Sequence, residues 1–177
     1  MLFSKNFVEL NKDIHDRDSF DCDEKELNYF IKTKASKHME LGISRTLVLP
    51  TLEPLLNGKY EICSFYTIVP SSISRENLPS NLAKKLPFYP IPVFLLAELA
   101  VNSKYHGKSL GKITLIKALK FALEVNTFMK VYAVIVDCLN ENAEDFYLKY
   151  GFEKLLKYEG RTRMFLPMKT IENLFYD

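Results

Sequence analysis

Two apolar runs flanking one long helical pattern constrain this chain more than any other feature. "VFLLAELAV" (93–101) is apolar over nearly its whole length, and so is "KVYAVIVD" (130–137). Each therefore reads as a strand buried on both faces. Between them, "SLGKITLIKALKFALEVN" (109–126) is a buried type of helix with a narrow polar stripe, in which Lys117, Lys120 and Glu124 recur at helical spacing. Strand, crossover helix and strand in that order imply a parallel or splayed pair with helices laid on the sheet. The fold class is α/β or α+β with a mixed sheet.

The remaining segments fill in around this unit. "RTLVLP" (45–50) and "YEICSFYTIV" (60–69) read as strands joined by the turn "LEPLLNGK". "DEKELNYFIKTKASKHMEL" reads as a helix with Leu27, Phe30, Ile31 and Ala35 on one face, Asp23 as N-cap and Gly42 past its end. "SSISRENLPSNLAKKLPFYPIP" reads as a surface excursion with at most one short helical turn. "ENAEDFYLKYG" reads as a short helix stopped by Gly151, and "RTRMFLPMK" as a late strand. With 177 residues, 47% of them hydrophobic, and no repeat or compositional break, the expectation is a single domain over 1–177.

Charge and cysteine usage exclude several classes. A formal net charge of +2 is too small for a dedicated DNA binder, so any RNA contact has to come from a local patch. Cys22, Cys63 and Cys138 are scattered and lack CxxC spacing, which argues against a disulfide framework or a zinc site and for a reducing cytosol. No metal site is expected. No run suits a signal peptide or a membrane span, so the expected location is cytoplasmic.

The loop "SKYHGKSLGKITL" (103–115) supports two readings. As a P-loop, -GKS- puts Lys108 on a nucleotide and Ser109 on magnesium, with Asp137 as the metal-holding acid. That pattern needs a glycine five residues before Gly107, where Asn102 stands. As a strand–loop–helix turn, the same stretch resembles the coenzyme-binding motif of the GNAT acyltransferase superfamily, Q/R-x-x-G-x-G/A. Here it runs His106, Gly107, Lys108, Ser109, Leu110, Gly111, with His106 in place of Gln or Arg and Ser109 in place of the first glycine. The resemblance implies that backbone N–H groups at the positive end of the helix hold the pyrophosphate of acetyl-CoA. Lys104, Lys108 and Lys112 add positive charge around the turn.

A second motif lies the expected distance downstream. "NENAEDFYLKYGF" matches the family's N-x-x-A-x-x-x-Y-x-x-x-G-F through Asn140, Ala143, Tyr147, Gly151 and Phe152. The order of "FDCDEKELNYFIKTKA", "GISRTLVL", "LAVNSKYHGKSLG" and "FLPMKTI" resembles the TacT and AtaT type of acetyltransferase toxin over nearly the whole chain. That resemblance implies a GNAT fold: a mostly antiparallel sheet with a splayed parallel pair and helices on both faces. It further implies acetylation of the α-amino group of aminoacyl-tRNA and a small ribbon-helix-helix antitoxin as partner, and it allows a homodimer. One departure is Glu98, where those toxins commonly carry a basic residue before "LAV".

Acyl transfer needs an unprotonated amine, a stabilised oxyanion and a proton for the leaving thiolate. The resemblance implies a backbone donor from Leu99, Ala100 and Val101 for the oxyanion. It places Asn140 with the loop among the coenzyme contacts, and makes Tyr147 the general acid. Tyr105 and Tyr150 read as packing residues. As base, Glu98 competes with a reading in which it pairs with a lysine; His106 reads as a loop residue, and His15 and His38 carry no assignment. The thin supply of bases suits an α-amine, which titrates near 7.7–8.0, better than a lysine near 10.4. Lys32, Lys34, Lys37, His38 and Arg45 are the candidate phosphate contacts. The alternatives are an enzyme acetylating a small amine or a protein amine, and an acyl-CoA-binding protein without turnover.

Overall fold

A strand–helix–strand run needs partners on both sides, and the elements around it supply them. The computed structural model describes residues 2–176. Its contacts group into two compact units, Met1–Val69 with Ala97–Ala118, and Pro70–Leu96 with Leu119–Asp177.

In the first unit the order of elements is β1 (Val8–Glu9), β2 (His15–Asp16), α1 (Lys25–Tyr29), α2 (Ala35–Glu40), β3 (Arg45–Pro50) and β4 (Tyr60–Ile73), whose end passes into the second unit. The strands follow the order β1-β3-β4-β5, where β5 is Ile91–Val101, with β2 on a side branch to β4. β3 is antiparallel to β4, with Thr46 opposite Thr67 and their buried hydroxyls 2.7 Å apart. Phe20, Ile31, Ala35, Val48, Ile62, Phe65 and Ala100 form the core, with Leu27 and Phe30 packed against it.

The first helix is not the single α-helix that its periodicity predicts. Between α1 and α2, Phe30–Lys34 form a π turn, and the Ala35 N–H reaches the Phe30 carbonyl. Thr33 donates its hydroxyl to the Tyr29 carbonyl at 2.7 Å, a back-bond that competes with the regular ladder. The expected apolar face survives, since Ile31 and Ala35 are fully buried. Asp23 is not the N-cap. It sits at φ 67°, and Glu24 holds the cap position without a side-chain cap hydrogen bond. Asp21 accepts the N–H of Asp23 (3.0 Å) and the Asn28 amide (2.8 Å), and this tight turn delays the helix start to Lys25.

The second unit carries α3 (Ser80–Ala83), the start of β5, most of the later part of α4 (Leu110–Phe128), then β6 (Ala133–Cys138), α5 (Glu141–Lys149), β7 (Glu153–Tyr158), β8 (Arg161–Pro167) and α6 (Met168–Tyr176). Its strand order is β5-β6-β8-β7. β5 and β6 are parallel through Val93↔Ala133, Phe94↔Val134 and Leu95↔Ile135, while β6/β8 and β7/β8 are antiparallel. This is the mixed, mostly antiparallel sheet with one long parallel crossover that the sequence predicts. Ile73, Leu78, Ile91, Val93, Ala133, Ile135 and Phe165 make the core. The 71–92 excursion is therefore less superficial than its Ser, Pro and Asn content suggests. β7 and α6 are additions to the sequence reading: the late strand stops at Pro167, and Met168 and Lys169 already belong to α6.

Candidate active-site elements

In the first unit, β5 ends in Leu99 and Val101, both half-buried, and Ala100, buried. Asn102 then fastens the chain. Its N–H donates to the Cys63 carbonyl (2.9 Å), its amide to the Ile62 carbonyl (3.2 Å), and its Oδ1 accepts the Lys104 N–H (3.2 Å). A single 3-10 turn, Ser103–Tyr105, follows. His106 donates from Nε2 to the Val101 carbonyl at 2.8 Å.

Gly107 and Ser109 both take left-handed backbone conformations, at φ 75° and 58°. Ser109 thus holds the shape that glycine serves elsewhere, at a cost of about 1–2 kcal/mol for a residue with a Cβ. α4 begins at Leu110, and the Ser109 carbonyl accepts the Ile113 N–H at 3.1 Å. The amides of Leu110, Gly111 and Lys112 precede that first bond and have no intrahelical acceptor. Together with the helix dipole they suit a bound anion. Lys108 is exposed, with Nζ 5.5 Å from the Tyr105 ring centroid. Lys104 is spoken for: its ammonium bonds the buried carboxylate of Glu61, so it adds little free charge to the loop.

Tyr105 packs edge-on to Phe3 at 6.2 Å and donates its phenol to Glu61 Oε2 at 2.8 Å. Burial, then this bond, push the phenol well above the ordinary tyrosine range. Asn102 and Asp137 both leave the P-loop reading without support. Asn102 is a buried capping residue, and Asp137 is held by a bidentate Arg163 at 2.7 and 2.8 Å.

In the second unit the downstream motif resolves into local bonds. Asn140 is the N-cap of α5, its Oδ1 accepting the Ala143 N–H at 3.0 Å. At the other end, Phe152 N–H bonds the Tyr147 carbonyl and Gly151 N–H bonds the Leu148 carbonyl, each at 3.1 Å, with Gly151 at φ 90°. This is a Schellman ending, and its usual apolar contact is the Tyr147–Phe152 ring pair at 5.1 Å. The five motif residues are therefore a cap, its partner, the tyrosine, the left-handed stop and the residue that packs back. Tyr147 itself is buried, with a second edge contact to Phe146 at 5.1 Å. Tyr150 packs on Phe146.

Glu144, missed by sequence reasoning, ties α5 to the β7–β8 hairpin. It accepts the Thr162 hydroxyl and pairs with Lys154 at 2.9 Å and Lys157 at 3.5 Å. The Thr162 bond, then Lys154, hold its carboxyl down at about 2.

Among the remaining candidates, Glu98 is half-buried on β5. His15 is buried, accepts the Asn11 N–H at Nδ1 (3.0 Å), and is pushed towards its neutral form by burial. His38 stands edge-on to Phe30 at 5.8 Å. Of the basic set, Lys37 and Arg45 are exposed, and Lys32 and Lys34 half-exposed; Lys34 lies 5.7 Å from the Tyr29 centroid, and Arg45 pairs with Glu9 at 2.8 Å. Among the described residues, no group of three or more His, Cys, Asp or Glu side chains is arranged to hold a metal, and no helix is long and apolar enough to cross a membrane.

An amide-lined turn opening a helix after an apolar strand, with a capped tyrosine helix further along the chain, is the succession of elements found in the GNAT fold. The model of the acetyltransferase (GNAT) family matches residues 85–152, which include β5, the loop, α4 and the whole Asn140–Phe152 motif. The chain's relatives are more particular. A tRNA-acetylating toxin of Mycobacterium tuberculosis is 28% identical over 141 residues, covering 80% of this chain and 80% of the relative. The crystal structure of a tyrosine-to-phenylalanine mutant of KacT superposes with a TM-score of 0.88 at 26% identity, covering 99% of this chain and 100% of KacT. AtaT complexed with acetyl-methionyl-tRNAfMet gives 0.85 at 28% identity, over 96% and 98% of the two chains. AtaTR bound with acetyl-CoA gives 0.80 at 25% (96% and 97%), and an AtaT mutant bound to the C-terminus of the antitoxin AtaR gives 0.81 at 25% (97% and 98%).

Proposed function

We propose that this chain uses acetyl-CoA to acetylate the α-amino group of aminoacyl-tRNA and thereby blocks translation in the cytoplasm, restrained by a ribbon-helix-helix antitoxin. The observation that carries the reading is the turn from Gly107 to Lys112. Ser109 keeps the left-handed shape of the missing glycine, so the amide cradle at the start of α4 is retained. Support for the acceptor comes from the likeness to the M. tuberculosis tRNA-acetylating toxin and to AtaT, solved with acetyl-methionyl-tRNAfMet. The two units are read as one domain, since β4, β5 and α4 each continue from one unit into the other.

In this reading, His106, Gly107, Lys108, Ser109, Leu110 and Gly111 bind the pyrophosphate, and the strand Leu99–Val101 offers backbone to the pantetheine arm and the oxyanion. Asn140 caps α5 through its Oδ1 and, in this reading, also contributes to the coenzyme contacts. The thioester supplies an activated acetyl group. The amine nitrogen bonds the acetyl carbon, the carbon–sulfur bond breaks, and Tyr147 gives its phenolic proton to the departing sulfur. The proton shed by the amine returns to solvent, from which Tyr147 is reprotonated. A phenol suits this task because it keeps its proton at neutral pH, with an unperturbed pKa of about 10, yet can donate to a thiolate. The acetylated nitrogen is an amide whose lone pair is delocalised, so it no longer attacks a peptidyl ester.

The test is incubation of the purified chain with charged tRNA and labelled acetyl-CoA, alongside growth on expression without a neighbouring antitoxin. Label on the aminoacyl group and growth arrest are expected. Unlabelled tRNA together with rapid acetylation of a small amine or a protein would replace the toxin reading with that of another GNAT enzyme.

A further inference from the structure

β4 places one carboxylate inside an apolar strand. Glu61 is 5% exposed and its neighbours Ile62 and Cys63 are fully buried. A buried carboxylate is costly unless it is paired and hydrogen-bonded. Both of its side-chain partners come from the turn after β5: the Tyr105 phenol at 2.8 Å on Oε2, and the Lys104 ammonium on Oε1. The same turn is fixed by the Asn102 N–H on the Cys63 carbonyl and the Asn102 amide on the Ile62 carbonyl. Three successive residues of β4 thus hold residues 102–105. The left-handed pair Gly107 and Ser109 begins two residues later.

We propose that Glu61 is a positioning residue for the coenzyme. From beneath the turn it fixes where Gly107–Lys112 present their amides, so the pyrophosphate cradle is set before any ligand arrives. The inference rests on the reading that this loop binds acetyl-CoA, and adds the residue that holds the loop in its binding shape. The Asn102 bonds go to backbone carbonyls and anchor the first residue of the turn. Glu61 takes the next two side chains that can reach β4, and it is the charged member of the set. A loop already ordered loses less freedom on binding, which appears as affinity. Glu61 touches no reacting atom in this scheme, so its loss should fall on coenzyme binding and spare the chemical step.

Two variants test this. Glu61→Gln keeps the side-chain shape and an acceptor for Tyr105 but removes the charge that holds Lys104. Tyr105→Phe removes the phenol donor and leaves the ring and the carboxylate. Acetyl-CoA binding is measured by isothermal titration calorimetry, and steady-state kinetics use charged tRNA as acceptor. The expectation is a rise of about tenfold in Kd and KM for acetyl-CoA in each variant, the scale of one charged hydrogen bond, with kcat within about twofold. The double variant should fall short of the product of the singles, because both act through the one Glu61 side chain. Urea unfolding checks that each is folded, and Tyr105→Phe carries the test if Glu61→Gln does not fold. Folded variants that bind acetyl-CoA like the parent chain would overturn the role of Glu61, as would a loss confined to kcat, while leaving the coenzyme reading intact. A parent chain that binds no acetyl-CoA would overturn the coenzyme reading and this inference together.

Discussion

Tyr147 and Phe152 are joined twice: the Phe152 N–H bonds the Tyr147 carbonyl at 3.1 Å, and their rings meet edge-on at 5.1 Å. The turn that makes both contacts possible is Gly151, at φ 90°. Gly151→Ala forces a Cβ into that conformation, with Leu166 Cδ1 3.7 Å away, so the strain is in the backbone and not in a clash. The variant should lose about 1–2 kcal/mol in urea unfolding and shift the tyrosine, lowering kcat. A variant as stable as the parent would show that α5 ends equally well by another route.

Tyr147→Phe removes one hydroxyl and keeps the ring contacts with Phe146 and Phe152. If the phenol protonates the leaving thiolate, turnover should fall by about 10²–10⁴ while acetyl-CoA affinity is unchanged. Full turnover in the folded variant would leave solvent as the proton donor.

Ser109 offers a contrast between two replacements. Ser109→Gly relieves the left-handed strain but adds unfolded-chain freedom, so stability should stay within about 1 kcal/mol and acetyl-CoA binding should persist. Ser109→Val puts a β-branched residue at φ 58° and should cost more, about 1–2 kcal/mol or above, with weakened binding. Equal behaviour of the two would mean that the loop shape is not what the coenzyme uses.

The low carboxyl of Glu144 makes a signed prediction for pH. Its folded pKa, about 2, lies below the ordinary 4.5, so its bonds to Thr162 and Lys154 stabilise the fold fully above pH 4.5. That contribution fades as pH falls from 4.5 towards 2. The stability gap between the parent and Glu144→Gln, followed by chemical unfolding, should be widest near neutrality and close across that window. A gap independent of pH would remove the charge from the explanation.

RNA binding should carry an electrostatic slope. Affinity for charged tRNA should drop steeply between low and physiological salt, and Lys37→Ala should flatten the log–log slope by about 0.7–1 if Lys37 meets a phosphate. Filter binding at several salt concentrations reads this directly, and an unchanged slope would take Lys37 out of the interface.

What was legible in the sequence is what local bonds enforce. The Asn140–Phe152 spacing could be read because cap and Schellman ending fix residue types at set intervals, and β5, α4 and β6 because burial on all sides leaves them apolar. β7 escaped because a register shift between Lys154 and Leu156 breaks its alternation. α6 escaped because "FLPM" runs a strand into a helix without a polar break. β1 and β2, two residues each, exist only through their pairing with β3 and β4. Glu61 was visible as a charge inside a strand, but nothing in the chain near it names Tyr105 and Lys104, more than forty positions on, as its partners.

The three cysteines bear on how this enzyme can be assayed. Cys22, Cys63 and Cys138 are free and buried, and burial lifts the thiols of Cys63 and Cys138 to about 11. At pH 8 only about one such thiol in a thousand is ionised, and the thiolate is the reactive form. An aromatic disulfide reagent added to the folded protein should therefore stay colourless until acetyl transfer releases the coenzyme's own thiol. The native chain can then be followed continuously in a spectrophotometer without replacing a cysteine, and the slow appearance of three further equivalents reports unfolding in the same cuvette.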